Sequence, residues 1–169
     1  MRTGTFVGTL EGMKPKVYIE TTIPSYLAAR PTRDLIVAAH QEITRLWWLE
    51  QRDKFNLFIS RLVINEAGSG DRGAAKERLR LLHGIAELEV SDEVASLAEL
   101  LIARSVIPPR AATDAAHIAV AAVHAMDFLM TWNCSHLANA MIATQIRQVC
   151  DAAGYKCPVI CTPEELLEE

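Results

Sequence analysis

Glu20, Glu66, Asp114 and Asn133 carry the oxygen-bearing side chains on which a chemistry can be built in this sequence of 169 residues. Mg²⁺ and Mn²⁺ prefer oxygen ligands, and carboxylates brought to one place repel each other unless a cation offsets their charge. An ion held by such a set can polarise a phosphodiester, lower the pKa of an attacking water and stabilise the leaving oxygen. Each residue also has a plainer explanation. Asp114 beside Thr113 can complement a helix dipole, worth roughly 0.3–1 kcal/mol. Glu66 can be a solvated helix residue, and Glu20 and Asn133 can be ordinary loop residues. His117 follows Asp114 by one helical turn on nearly the same face, so it is a candidate to orient a ligand or carry a proton, or else a satisfied half-buried histidine. His136 is read in the same way. Arg61, Arg72 and Arg110 are candidate phosphate contacts. His124 and Asp127 are expected at the opposite end of their helix–strand unit and receive no role.

The elements that must position these residues follow from pattern. Residues 16–19 form a β-branched and aromatic run that reads as a first strand delivering Glu20, with Pro24 disfavouring helix at Ile23. A helix is expected over 33–51 from Ile36, Ala39, Ile43, Leu46 or Trp47 and Glu50; of the adjacent Trp47 and Trp48, one must leave that stripe, packing on a neighbouring element or facing a partner. Residues 55–60 read as a second strand, 61–67 as a turn into a helix carrying Glu66, and 74–82 as a further helix stopped by His83-Gly84. A short strand over 87–90 precedes a helix capped by Ser91 and running to about Ser105. The central stretch, ATDAAHIAVAAVHAMDFLMTWNCSH, predicts a buried apolar helix over 114–126 with Thr113 as N-cap, then a strand over 127–132. Helix then resumes to Gly154, and 158–161 is a last strand before the cap Thr162-Pro163-Glu164-Glu165.

Strands separated by helices imply a mostly parallel sheet, and ligands of such sheets gather at the C-terminal edge of the strands. Glu20 and Asn133 end strands there, and Glu66 and Asp114 are expected near helix N-termini that open on the same edge. The fold class expected is α/β, a three-layer α/β/α sandwich, with residues 1–12 a flexible tail and 13–169 a single domain.

Half of the residues are hydrophobic, enough for a core without staples. No apolar run reaches the roughly 18–20 residues that cross a bilayer, and the first twelve residues lack the apolar stretch of a secretory signal, so a cytoplasmic protein is expected. Cys134, Cys150, Cys157 and Cys161 form no CxxC pair and read as scattered thiols. The net charge is −4, but without Glu164, Glu165, Glu168 and Glu169 acidic and basic residues are equal in number, so a local basic patch can still meet phosphates.

The runs VYIETTIPSYL, SRLVINEAGSGD, ATDAAHIAVAAVHAMDFLMTWNCSHLAN and PVICTPEELL together resemble the PIN domain, and specifically the VapC-like toxins of type II toxin–antitoxin systems. The resemblance covers about residues 16–167, and its most specific piece is the T-D-A-x-H-I-A helix joined to an apolar strand ending in T-W-N. It implies a Mg²⁺- or Mn²⁺-dependent endoribonuclease of three-layered α/β/α fold, a homodimer held inactive by a cognate antitoxin protein. Carried over by motif, the acids of the family's site fall on Glu20, Glu66 and Asp114, its last acidic position on Asn133, and a nearby hydroxyl on Thr131. The family usually has Asp where Glu20 stands and commonly Asp where Asn133 stands. These departures lower the expected metal affinity and make a single ion reasonable; they also motivate the alternative of a weakly active or inactive PIN-like module that binds RNA or a partner.

Overall fold

The computed structural model describes residues 13–168. The expected N-terminal tail, 1–12, lies outside them. Five strands, β1 (Lys16–Ile19), β2 (Asn56–Ser60), β3 (Ala86–Leu88), β4 (Phe128–Met130) and β5 (Val159–Cys161), form one sheet in the order β3-β2-β1-β4-β5, with every neighbouring pair parallel. Parallel neighbours need crossovers, and seven helices supply them: α1 (Thr22–Ala28), α2 (Leu35–Leu46), α3 (Arg61–Ala67), α4 (Arg72–Leu82), α5 (Asp92–Ala103), α6 (Ala112–Val123) and α7 (Ala140–Ala152).

The chain leaves β1 in one direction along the sheet to β2 and β3, then crosses back to β4 and β5. Right-handed crossovers therefore put α1–α4 on one face and α5–α7 on the other, a three-layer α/β/α sandwich. The packing agrees: α1 meets α2 and α4, whereas α6 packs on α5, and α5 on α7. The reversal of direction falls between β1 and β4, and the crevice outside their C-terminal ends is where an open α/β sheet offers a binding site. Around it the core is continuous through Val17, Ile19, Ile59, Ile118 and Leu129.

Several expectations are corrected. Ile23 is helical despite Pro24, because Pro24 stands in the first turn of α1, where a backbone N–H has no intrahelical acceptor to lose. The predicted stripe of α2 is not wholly buried: Ile36 is 70% exposed. Both tryptophans are buried, so the ring that leaves the stripe packs within the protein rather than facing a partner, and Trp47–Gln51 continues α2 as a π-turn. Thr113 is not the N-cap of α6; a 3₁₀ turn at Pro109–Ala111 leads straight into the helix, which starts at Ala112 with no side-chain cap and stops at Val123, short of Met126. A loop separates β4 from α7, which starts only at Ala140 behind an Asn139 cap and ends at Ala152, short of Gly154. The thiols are all free, with Cys134 exposed and Cys150 and Cys161 buried.

Candidate metal centre

Tyr18 and Glu20 are two residues apart, so the pleat of β1 and its extension puts them on one side of the sheet. Glu20 N–H donates to Met130 O, which prolongs the β1–β4 pairing by one residue and fixes Glu20 in the crevice at the reversal. Its side chain is only 5% exposed as a residue. One carboxylate oxygen, Oε2, accepts from the Thr22 backbone N–H at 3.0 Å, from the Thr22 hydroxyl, and from Thr131 Oγ1 at 2.7 Å. Among the described residues Glu20 has no cationic partner, and its Oε1 accepts no hydrogen bond.

Glu66 lies in the last turn of α3, not near a helix N-terminus as expected. Arg78 of α4 holds that end of the helix by donating to Ala67 O and Ser69 O. Glu66 is half-buried, and its Oε2 accepts from the Thr21 hydroxyl and from His117 Nε2, the latter at 2.8 Å. Burial alone would push the Glu66 carboxyl up, but the hydrogen bonds from His117 and Thr21 outweigh it and hold the group below the usual carboxylate range. Oε1 of Glu66, like that of Glu20, accepts no hydrogen bond among the described residues.

His117 is 1% exposed, and a chain of hydroxyls stands behind it. Its Nδ1 is 2.8 Å from the Tyr18 hydroxyl, which is 2.7 Å from Ser60 Oγ. Burial pushes the Tyr18 phenol far up, so it is a neutral hydroxyl at every ordinary pH. Each member is delivered by regular structure: Tyr18 from β1, Ser60 from the C-terminal end of β2, His117 from the buried side of α6. One ligand atom from each of Glu20, Glu66 and His117 lies within 4.8 Å of the other two. Ligand atoms about 2.0–2.2 Å from a common ion stand at most about 4.4 Å apart, so the three residues are near the spacing that one divalent cation requires.

Asp114 is outside that group. Its Oδ1 accepts from Asn133 Nδ2 at 3.1 Å and its Oδ2 is 2.9 Å from His136 Nδ1. Asn133 in turn accepts from the backbone N–H groups of Ser135 and His136, at 3.2 and 3.3 Å. The expected set thus divides in two: Glu20 and Glu66 with Thr131 and His117, and Asp114 with Asn133 and His136. Of the three arginines, Arg61 is engaged by Glu87 at 2.9 Å, and Arg72 and Arg110 are exposed. His124 and Asp127 lie away from the crevice, His124 on Glu89 O and Asp127 capping the Lys16 N–H at the start of β1.

Tyr18, Ser60, Thr21 and Thr22 belong to this site, and none was singled out from the sequence. The alternation Tyr18-x-Glu20 was the available signal for the first, and Ser60 ends its strand level with Glu20 because Tyr18 pairs with Phe58. No family model and no curated protein matches the chain.

Proposed function

We propose that the protein is a divalent-metal-dependent endoribonuclease that hydrolyses RNA phosphodiester bonds with Mg²⁺ or Mn²⁺. One observation carries the metal: a carboxylate buried at Glu20, with neutral hydrogen-bond donors but no cationic partner among the described residues, faces a second carboxylate at the edge where α/β sheets bind ligands. A buried charge left unpaired is costly, and two in one crevice more so, which a cation relieves. RNA as substrate rests on the PIN-like, VapC-like order of motifs, and that resemblance also suggests a cytoplasmic protein, a homodimer and a cognate antitoxin. No helix among the described residues is long and apolar enough to cross a membrane.

Glu20 and Glu66 would hold the ion. When bound, it supplies an activated water and neutralises charge on the phosphodiester. Thr22 and Thr131 aim Glu20, and Thr21 and His117 aim Glu66, so both open oxygens are set before the ion arrives. Asp114, held by Asn133 and His136, stands outside this pair.

Incubation of the full chain with structured RNA, in Mg²⁺ or Mn²⁺ and then in EDTA, tests this reading. Cleavage is expected only with metal and is lost in Glu20→Gln and Glu66→Gln; cleavage that survives EDTA or either substitution overturns it. The engagement of both Asp114 oxygens favours a second reading, a PIN-like module that binds RNA or a partner without cutting. RNA binding with no cleavage and no Mn²⁺ uptake at millimolar concentration would select it.

A further inference from the structure

We infer that His117 is itself a ligand, and that the ion is therefore a nitrogen-accepting divalent ion of the Mn²⁺, Co²⁺ and Zn²⁺ class, bound in preference to Mg²⁺. The inference rests on the metal-dependent reading of Glu20 and Glu66 and adds to it the identity of the third ligand and the class of metal. Imidazole suits the borderline metals, whereas Mg²⁺ seeks an all-oxygen shell and keeps most of its water.

The spacing supports it. His117 Nε2 and Glu66 Oε2 are 2.8 Å apart. Two adjacent ligands about 2.1 Å from an octahedral ion stand about 3.0 Å apart, so the pair is close enough to share an ion once the Glu66 carboxylate turns Oε2 off the His117 Nε2 lone pair and presents its open Oε1. The same ion reaches Glu20, whose ligand atom completes the group.

The surroundings of His117 support it independently. A metal-bound imidazole needs its other nitrogen protonated and hydrogen-bonded, which fixes the ring and raises its basicity. Tyr18 Oη occupies that place at 2.8 Å from Nδ1, itself 2.7 Å from Ser60 Oγ. Tyr18 can donate to Nδ1 or accept from it without moving a heavy atom. In the metal-free chain Tyr18 donates to Nδ1 and Nε2–H donates to Glu66. In the loaded chain Nδ1–H donates to Tyr18, and the Nε2 lone pair faces the ion. Two carboxylates balance the two positive charges of the ion. An exposed histidine could turn away from such an ion; His117, 1% exposed and pinned from behind, cannot.

The test is a calorimetric titration of the metal-free full chain with Mg²⁺, Mn²⁺ and Co²⁺, with electron spin-echo measurement of the bound Mn²⁺. Mn²⁺ and Co²⁺ are expected to bind at least about tenfold more tightly than Mg²⁺, and Mn²⁺ to show coupling to one directly bound imidazole nitrogen. Tyr18→Phe, which keeps the ring but not the hydroxyl, is expected to weaken Co²⁺ by about tenfold or more and Mg²⁺ far less. Mg²⁺ binding as tightly as Co²⁺, or bound Mn²⁺ without nitrogen coupling, overturns the inference while leaving the carboxylate site standing. The absence of binding by all three ions overturns both. The spin-echo measurement uses the unaltered chain, so poor folding of a variant does not blunt it.

Discussion

Glu66 and Asp114 each meet a histidine at hydrogen-bond distance, 2.8 Å to His117 and 2.9 Å to His136, yet the two pairs are built for different ends. At Asp114 each oxygen has a partner, one His136 and the other the Asn133 amide. At Glu66 one oxygen carries both hydrogen bonds, the other is open, and a second acid with the same division of labour stands beside it. His117 is sealed behind by Tyr18, whereas the His136 side chain is 28% exposed. On the proposed reading, a carboxylate that would hold a cation differs from one held by the protein alone in how its oxygens are shared out, not in whether a histidine touches it.

The comparison accounts for Asn133. An amide can donate to Asp114 with its nitrogen while its oxygen receives the N–H groups of Ser135 and His136. A carboxylate there could do only the second and would repel Asp114. Asn133 is then a neutral clamp suited to the metal-free chain, and Asp114 the group it clamps.

The largest effect that would break the comparison is on metal affinity. Glu20→Gln removes a charge from the open pair and is expected to weaken Mn²⁺ binding by about 100-fold, while Asp114→Asn weakens it far less, as calorimetry of both variants will show. Equal losses would mean that the two clusters act as one site. Asn133→Asp should turn the closed cluster into an open one. It is expected to destabilise the metal-free chain by about 1–2 kcal/mol at neutral pH, a loss that shrinks on acidification or on adding Mn²⁺, read by thermal melts.

A smaller effect follows from Glu66, whose folded pKa is held below its ordinary value near 4.5. A depressed pKa contributes stability that is fully present above that ordinary value and is lost as pH falls through the folded one. Thr21→Val removes one of the donors that depress it, so the variant should lose less on acidification from pH 5 to 3 than the parent, about a kilocalorie or below. The smallest effect concerns reagents rather than stability. Cys134, exposed in the loop beside Asn133, should be alkylated within minutes at pH 8, while Cys161, buried and pushed up to about 12, stays protected until the chain unfolds. Labelling followed by mass spectrometry checks the order.

Much of this fold is legible in the sequence because its strands are short apolar runs and its helices lie between them. β1, β2 and β5 fall within a residue or so of where pattern puts them. Glu20 and Glu66 were legible as points near the ends of such elements, and Thr131 only through the resemblance of the motif that carries it. What pattern does not carry is the sharing of hydrogen bonds. Proline at position 24 reads as a helix breaker unless its place in the first turn is known, and the π-turn that carries both Trp47 and Trp48 has no periodic signature. Whether Asn133 supports an ion or clamps Asp114 depends on which way one amide faces, a tertiary fact. His117 was a candidate from its place one turn after Asp114, but its contacts with Tyr18, 99 residues away, and through it with Ser60 on another strand were hidden.

The most direct measurement is the anomalous scattering of crystals of the full chain soaked in Mn²⁺. A single strong peak among Glu20, Glu66 and His117, with Asp114 still held by Asn133 and His136, is the predicted result. A peak at Asp114 and Asn133 with none at Glu20, or no peak at saturating Mn²⁺, would contradict it.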